Sequence, residues 1–452
     1  EAFHAILGER DADEQRPGCV WFRTTKGRGY IKTGAPSHGA PHAYHSDDFW
    51  TIRDAFSAKH NVEFIGRGET PATRDERIEQ TRENIDRALS VLDGDVLDFL
   101  SDRLAETAES VPDRVPGFNW DTSKDPLEDP ALTDPTALPE ELFFKPGEKV
   151  PNRKGFSNYG AYANAIGHAQ YGRPLFLVCA ADLAESTNIA GFGKGHDGFD
   201  GYGWYERDSN REGVILPQEI TEFANSGIVC GAASVNFSDK PMEEWRGYMA
   251  GCSTYGSFSY LKYGPMRLFS QMCQDSQIKL GKVIWVAGHS GPETAADSRT
   301  HFGIFAPGVT SLFPTDQIIN LHPWEANEVP VVLAAALATD VPIVAIHLTR
   351  PPISIPDRAA MGADSHLDAA KGAYILRDFD AGRPKDGTVI VRGTSTTASL
   401  VDLMPWFDEG GPNIKVVAAI SHALFRRQSQ DWQDRVLPWS EWADSMVATN
   451  TA

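Results

Sequence analysis

The stretch K-V-I-W-V-A-G-H-S-G-P-E-T-A-A-D-S-R-T-H-F-G, Lys282 to Gly303, decides how the whole chain is read. Val283 to Ala287 is an apolar run, long enough for a strand buried on both faces and short for a helix. It empties into a loop of Gly, Ser and Pro that carries His289, Asp297 and His301. Ionisable side chains held at the carboxyl end of a buried strand sit where open α/β sheets bind ligands. The plainer alternative is a polar surface turn with two incidental histidines, and the surrounding sequence must separate the two.

Outward from that strand, Pro174–Ala181, Gln317–Leu321 and Val341–His347 also read as strands. Helical stretches lie between them, Trp324 to Ala338 being the clearest. Strands alternating with helices of this length predict a parallel, doubly wound sheet over 152–355. Residues 356–384 read as a linker. The segment 385–452 follows, with strand Thr388–Arg392, a helix near Ala398–Phe407 and strand Lys415–Ile420, about half the usual domain length. On the amino side, Pro112 to Pro151 holds eight prolines, which disfavours regular structure. Its Phe118, Trp120, Phe143 and Phe144 suggest a linker pinned to a domain surface. Thr73 with Glu76 has the form of a capping box opening a long helix that reaches Leu104, with Gly94 as its weak point. Residues 61–151 are thus a long helix followed by a proline-rich linker.

The opening, residues 1–60, offers the end of an amphipathic helix, a strand Cys19–Thr25, and a helix from Asp47 and Asp48 through Phe56. That is too little for a closed core, and it begins at Glu1 without a methionine. The expectation is an α/β, multidomain chain of mostly parallel, doubly wound sheets whose first and last domains are incomplete.

Composition narrows the partners. The chain has 452 residues, about three domains by length. It is 41% hydrophobic and 23% charged, ordinary for a globular protein. No apolar run approaches the roughly 20 residues of a membrane span, and nothing at the start reads as a signal peptide. Cys19, Cys179, Cys230, Cys252 and Cys273 lack metal-ligand spacing, which suits reduced packing residues in a cytoplasmic protein. Forty-two basic against 62 acidic residues give a formal charge of −20. Such a field repels nucleic acid and anionic membranes alike, and an anionic substrate would need its own basic pocket.

Six motifs then occur in order: T-T-K-G-R-G-Y from Thr24, S-H-G-A-P from Ser37, R-K-G-F-S from Arg153, A-A-D-L-A-E-S-T-N from Ala180, Q-E-I-T-E-F-A-N-S-G-I from Gln218, and H-x7-D-x3-H from His289. Together they resemble the transketolase family of thiamin-diphosphate enzymes. The resemblance covers the end of the diphosphate-binding domain, the whole pyrimidine-binding domain and part of the C-terminal domain. It implies the thiamin-diphosphate-binding fold and a homo-oligomer, at least a dimer. In this family the pyrimidine domain of one subunit faces the diphosphate domain of another.

The resemblance assigns roles by position. Glu222, with Glu219 as its competitor, matches the glutamate that hydrogen-bonds the cofactor's aminopyrimidine. That ring must shift tautomer so that its exocyclic nitrogen can take a proton from the thiazolium carbon. A carboxyl in an apolar setting, here supplied by Phe223 and the run Gly227–Ala233, can share a proton with a ring nitrogen. Tyr255, Phe258 and Leu261 sit where the family stacks aromatics on the pyrimidine; Leu261 departs from that pattern, with Tyr260 as a substitute. A stripe of this kind also suits a plain core. Asp297 and His301 match the pair that holds sugar hydroxyls and moves protons. Arg153, Ser186, His289 and Arg350 match the grip on a sugar phosphate, for which the arginine fork is suited. Surface salt bridges are the plainer reading of Arg153 and Arg350. Asp182 falls near the cofactor, and His38 near its diphosphate. His38, His42 and His45 as a metal site is the weaker reading, since no Cys or acidic partner accompanies them.

One motif is missing. The family's Gly-Asp-Gly and following asparagine, which bind Mg2+, have no counterpart, and Asp93-Gly94-Asp95 lies in a charged helix on the wrong side of the histidine motif. No metal ligand is expected in this chain, and Mg2+ would be held by a region preceding it. The expectation is an internal portion of a longer protein, or one member of a split pair. Its activity would be transfer of a two-carbon ketol unit between sugar phosphates. The alternatives are the decarboxylating component of a 2-oxo acid dehydrogenase, and a non-catalytic half of a split enzyme.

Overall fold

A computed structural model describes residues 23–37, 42–69, 71–110, 124–181, 183–217, 220–288 and 306–449. The chain divides into two compact units, residues 1–118 and 119–452. In the first, α1 (Asp47–His60) starts at Ser46, whose side chain accepts from the Phe49 amide, with Asp47 and Asp48 in the first turn and Lys59 and His60 in the last. Those charges complement the helix dipole at both ends. The capping box at Thr73 and Glu76 is present and opens α2 (Arg74–Leu89).

The single long helix expected here is two. α2 stops at Leu89, and α3 (Gly94–Ser110) begins anew after Asp93, whose side chain accepts from the Asp95 amide at 3.0 Å. An Asp-Gly-Asp run offers poor helix propensity and a side chain that prefers to cap. Asp93 therefore lies in the break rather than inside a helix. Arg23–Thr25, the described end of the expected strand Cys19–Thr25, has no regular structure. Ile85, Leu89, Val96, Phe99, Leu100 and Leu104, the apolar stripe that suggested a helix, lie exposed on this unit.

The second unit opens with short turns that bury Leu132 and Leu142. The phenol groups of Tyr159 and Tyr162 donate to the carbonyls of Leu132 and Ala131. The elements then run β1 (Lys149–Val150), α4 (Arg153–Ile166), β2 (Phe176–Ala180), α5 (Glu222–Ala233), β3 (Met249–Tyr255), α6 (Tyr263–Asp275), β4 (Val283–Gly288) and β5 (Ile318–Leu321). They continue with α7 (Glu328–Leu337), β6 (Ile343–His347), β7 (Ile353–Ser354), β8 (Ala373–Arg377), β9 (Gly387–Arg392), α8 (Thr394–Asp408), β10 (Ile414–Ala419) and β11 (Ser445–Thr449). The main sheet has the order β2-β3-β4-β6-β5, every neighbour parallel.

Both faces of that sheet are covered, as a doubly wound fold requires. Ile284 and Val286 point into the core beneath α4 and α7, while Val283 and Trp285 point into the core shared with Val229 of α5 and Met266 and Phe269 of α6. All six residues of β4 are buried. Gly155 in α4 is needed for this packing, since a Cβ there would lie 2.1 Å from the Ala326 carbonyl oxygen.

The second sheet, β11-β9-β10-β8, is mixed, because β8 runs antiparallel to β10. β8 lies inside 356–384, the stretch read above as linker. A-Y-I-L-R is entirely buried, and its five residues are too short a signal among flanking Gly, Asp and Pro. Asn152 joins the two sheets. Its Oδ1 accepts from the Thr349 amide at 2.8 Å, and its Nδ2 donates to the Pro323 carbonyl at 2.8 Å and to the Thr394 hydroxyl at 3.4 Å. A buried amide satisfied on both sides fixes three segments at once.

Candidate functional site

Glu222 is the first residue of α5 and only 6% exposed. The partial positive charge of a helix N-terminus favours a carboxylate there. The hydroxyl of Thr254, near the end of β3, donates to Glu222 Oε1 at 3.0 Å. Among the described residues, Oε2 has no partner. Phe223 is not the enclosing neighbour expected from the sequence. It is 64% exposed and leans over Gly264 of α6 instead.

β3 leads directly into a 3-10 helix, Gly256–Lys262, with Tyr255 as its cap. In a 3-10 helix residues three apart eclipse one another. Phe258 and Leu261 therefore share one side, and Tyr255, still extended at the end of β3, precedes them. Tyr255 is buried, Phe258 half-buried and Leu261 partly exposed, as a surface open to a ligand would be. Gly256, Ser259 and Lys262 form the next column, and all three are buried against the sheet.

Lys262 was not singled out from the sequence. Its side chain is fully buried, and Nζ donates to the carbonyls of Cys252 at 3.2 Å and Val286 at 2.8 Å. It lies 5.1 Å from the Trp285 ring centroid. Burial lowers its pKa to about 8, while the nearby Cys252, Cys179 and Glu222 pull the other way. A signal was present: Lys262 is the only charged residue between Arg246 and Arg267.

A second set of expected residues meets the first at Tyr255. The Arg153 guanidinium, at the start of α4, donates to the Ser186 carbonyl. The Ser186 hydroxyl lies 3.3 Å from the Tyr255 hydroxyl. Arg350 is exposed just beyond β6, next to Thr349, whose amide binds Asn152, the neighbour of Arg153. Two sets of contacts thus meet at the end of β3: Thr254 binds Glu222, and the next residue, Tyr255, meets Ser186, whose carbonyl accepts from Arg153.

His38, Asp182, Glu219, His289, Asp297 and His301 lie outside the described residues. Of the three histidines weighed as a metal site, His42 contacts Tyr30 and Asp48, and His45 contacts Gln80. Among the described residues no group of three or more His, Cys, Asp or Glu converges as a metal site. No described helix is long and apolar enough to cross a membrane. A cavity of about 880 Å³ lies between the two sheets, lined by Asn320, His322 and Arg392. It includes none of the residues in those two sets of contacts, so size alone does not mark the site.

No protein-family model matches the chain. Over 195 residues it is 26% identical to the chloroplastic transketolase of Spinacia oleracea, a match covering 42% of this chain and 24% of that protein. The transketolase structure from Leishmania mexicana matches 95% of this chain and 54% of its own, with a TM-score of 0.58 at 17% identity. That of Pichia stipitis in complex with sedoheptulose-7-phosphate matches 92% and 53%, with a TM-score of 0.57 at 19% identity. The chain spans about half the length of these structures, and at such identities they show the fold.

Proposed function

We propose that this chain, similar to transketolases in sequence and in fold, supplies the pyrimidine-binding side of a thiamin-diphosphate site for ketol transfer between sugar phosphates. The observation that carries the reading is that adjacent residues at the end of β3, Thr254 and Tyr255, contact Glu222 on the one hand and Ser186, bound in turn by Arg153, on the other. A carboxylate with one oxygen fixed by Thr254 and the other unengaged fits a heteroaromatic ring nitrogen that needs a proton partner. Tyr255, Phe258 and Leu261 would give such a ring an apolar wall.

When bound, thiamin diphosphate supplies the thiazolium carbon that attacks a sugar carbonyl. The protein's own part is to hold and move protons and to orient both molecules. Glu222 holds the proton at the pyrimidine ring nitrogen. Arg153, Ser186, His289 and Arg350 grip the sugar phosphate. Asp297 and His301 take the hydroxyls and their protons, and His38 and Asp182 approach the cofactor. Mg2+ would be held with the diphosphate by residues other than these. The four described cysteines are free thiols, which suits the cytoplasm.

A homodimer belongs to the same reading, and exposed apolar residues support it. Ile220, Phe223 and Ile228 beside α5, and Tyr260, Leu268 and Met272 beside α6, are all exposed. Gly227 and Gly231 add open positions where a Cβ would meet nothing within 4 Å. A contiguous apolar surface flanking a site is suited to a second subunit.

The test is Glu222→Gln in the full-length protein, assayed with thiamin diphosphate, Mg2+, a ketose phosphate donor and an aldose phosphate acceptor. Turnover should fall by roughly 10²–10⁴, the usual share of a proton-transfer residue. Unchanged turnover would overturn the reading.

A further inference from the structure

We infer that the cavity between the two sheets is a second ligand site, built for a small organic anion whose carboxylate or phosphate head meets Arg392 and whose body is apolar. The cavity shares no residue with the site of Glu222 and Arg153, so the two stand or fall separately.

The hollow forms where parallel strands of both sheets end. The amide of His322, the residue after β5, donates at 2.8 Å to the carbonyl of Ile420, the residue after β10. Arg392 is the last residue of β9, the parallel neighbour of β10. Carboxyl ends of parallel strands are where α/β sheets take their ligands. Val417 of β10 lies opposite Ile390 of β9, and alternation along a strand puts Ile390 and Arg392 on one face. Ile390, Val417 and Val436 therefore wall the cavity with apolar surface, and Arg392 brings a charge to the same face. A volume of about 880 Å³ is within the range of small-molecule sites.

The polar groups here are not those of a plain core. His322 is 6% exposed, and neither of its ring nitrogens has a partner among the described residues. Its ring lies flat on that of His347, the last residue of β6, with centroids 4.3 Å apart and planes 5° apart. Burial lowers the pKa of both, so both are neutral, and His322 keeps one donor and one acceptor. His347 Nε2 lies 3.1 Å from Asn320 Oδ1, and the Thr310 hydroxyl donates to the same oxygen. Asn320 is thereby held with its amide NH2 unengaged among the described residues. Buried polar groups are ordinarily hydrogen-bonded, so His322 and Asn320 left open at one cavity mark a place for a polar ligand.

The sign of the charge selects an anion. Among the described residues, Arg392 and Arg426 line the cavity against one carboxylate, Asp316. That carboxylate is bound to Arg427 at 2.8 Å and lies 3.6 Å from Arg426. Burial lowers the pKa of Arg392, and an anion beside it would offset that cost to its charge. In a chain of formal charge −20 this basic hollow is a local exception to the field around it.

The experiment is calorimetric titration of the full-length protein, saturated with thiamin diphosphate and Mg2+, with phenyl phosphate, phenylacetate and the neutral benzyl alcohol. Wild type should bind one of the two anions about 10- to 100-fold more tightly than benzyl alcohol, the share of a charge-assisted contact. Whichever anion binds more tightly identifies the head group. Arg392→Met should lose that factor, and Arg153→Ala should keep it. Ala419→Leu, which narrows the cavity from β10 and leaves Arg392 in place, should also weaken binding, and reads the same site should Arg392→Met not fold. No saturable binding of either anion, or equal affinity for the anions and benzyl alcohol, overturns the inference. So does binding that Arg392→Met and Ala419→Leu leave unchanged, or that Arg153→Ala abolishes; none of these results touches the role of Glu222.

Discussion

The main sheet buries a lysine at each end, and the two differ in what surrounds them. Lys262, at the carboxyl end, is bound to the carbonyls of Cys252 and Val286 with Glu222 close by. Lys282, at the amino end, is 4% exposed and bound to the carbonyls of Thr339 and Val341. Burial lowers both to a pKa of about 8. The acids near Lys282 are Asp340, whose side chain is almost fully exposed, and Asp125, half-buried and with its pKa raised by that burial. Burial and a displaced pKa are thus common to both ends. A carboxylate only 6% exposed, Glu222, and the rings of Tyr255 and Phe258 belong to one. Perturbed groups cluster at functional sites, but structural positions produce them too.

The comparison can be broken or sharpened by substitutions at either end. After Glu222→Gln, the largest effect is expected from Arg153→Ala at the carboxyl end. Loss of a charge-assisted contact of about 1.5–3 kcal/mol should raise KM for a phosphorylated sugar about 10- to 100-fold, with kcat little changed. Steady-state kinetics with phosphorylated and unphosphorylated sugars check this, and unaffected kinetics would favour 2-oxo acid decarboxylation instead.

At the amino end, Lys282→Met should alter stability against pH and leave cofactor binding alone. An unfolded lysine binds its proton up to pH ~10.5, and the folded one releases it near 8. Between those values the unfolded chain holds more protons, so Lys282 makes the protein more stable as pH rises, at about 1.4 kcal/mol per unit. Denaturant unfolding of wild type minus variant should show that slope, which cancels the opposite trend of the buried thiols. A changed thiamin-diphosphate affinity in Lys282→Met would erase the contrast between the two ends.

The smallest effect is expected from Thr254→Val, nearly the same shape without the donor to Glu222. One hydrogen bond to a carboxylate gone from the site should lower kcat about tenfold, with the thermal midpoint close to wild type.

Legibility in the sequence followed local contrast. β4 stood out because V-I-W-V-A is apolar between polar flanks, and β6 for the same reason. β3 sits between β2 and β4 in the middle of the sheet, yet went unread, since M-A-G-C-S-T-Y holds no Val or Ile and only one β-branched residue. Its small side chains make sense only once α5 and the Ile189–Gly193 turn are seen packed on its two faces. Glu222, Tyr255, Ser186 and Arg153 could be named from their motifs, and the structure links Tyr255, Ser186 and Arg153 by contacts while Thr254 holds Glu222. Lys262 could not be ranked that way: its burial comes from eclipsed 3-10 geometry, which a spacing of three residues does not by itself reveal.

Asn152 gives the molecule a further property. Because one amide ties the segment before Arg153 to the strand end before Arg350 and to the first turn of α8, those two arginines inherit the position of the second sheet. A disturbance in β8–β11 would therefore reach the backbone that carries Arg153 and Arg350 through a single side chain.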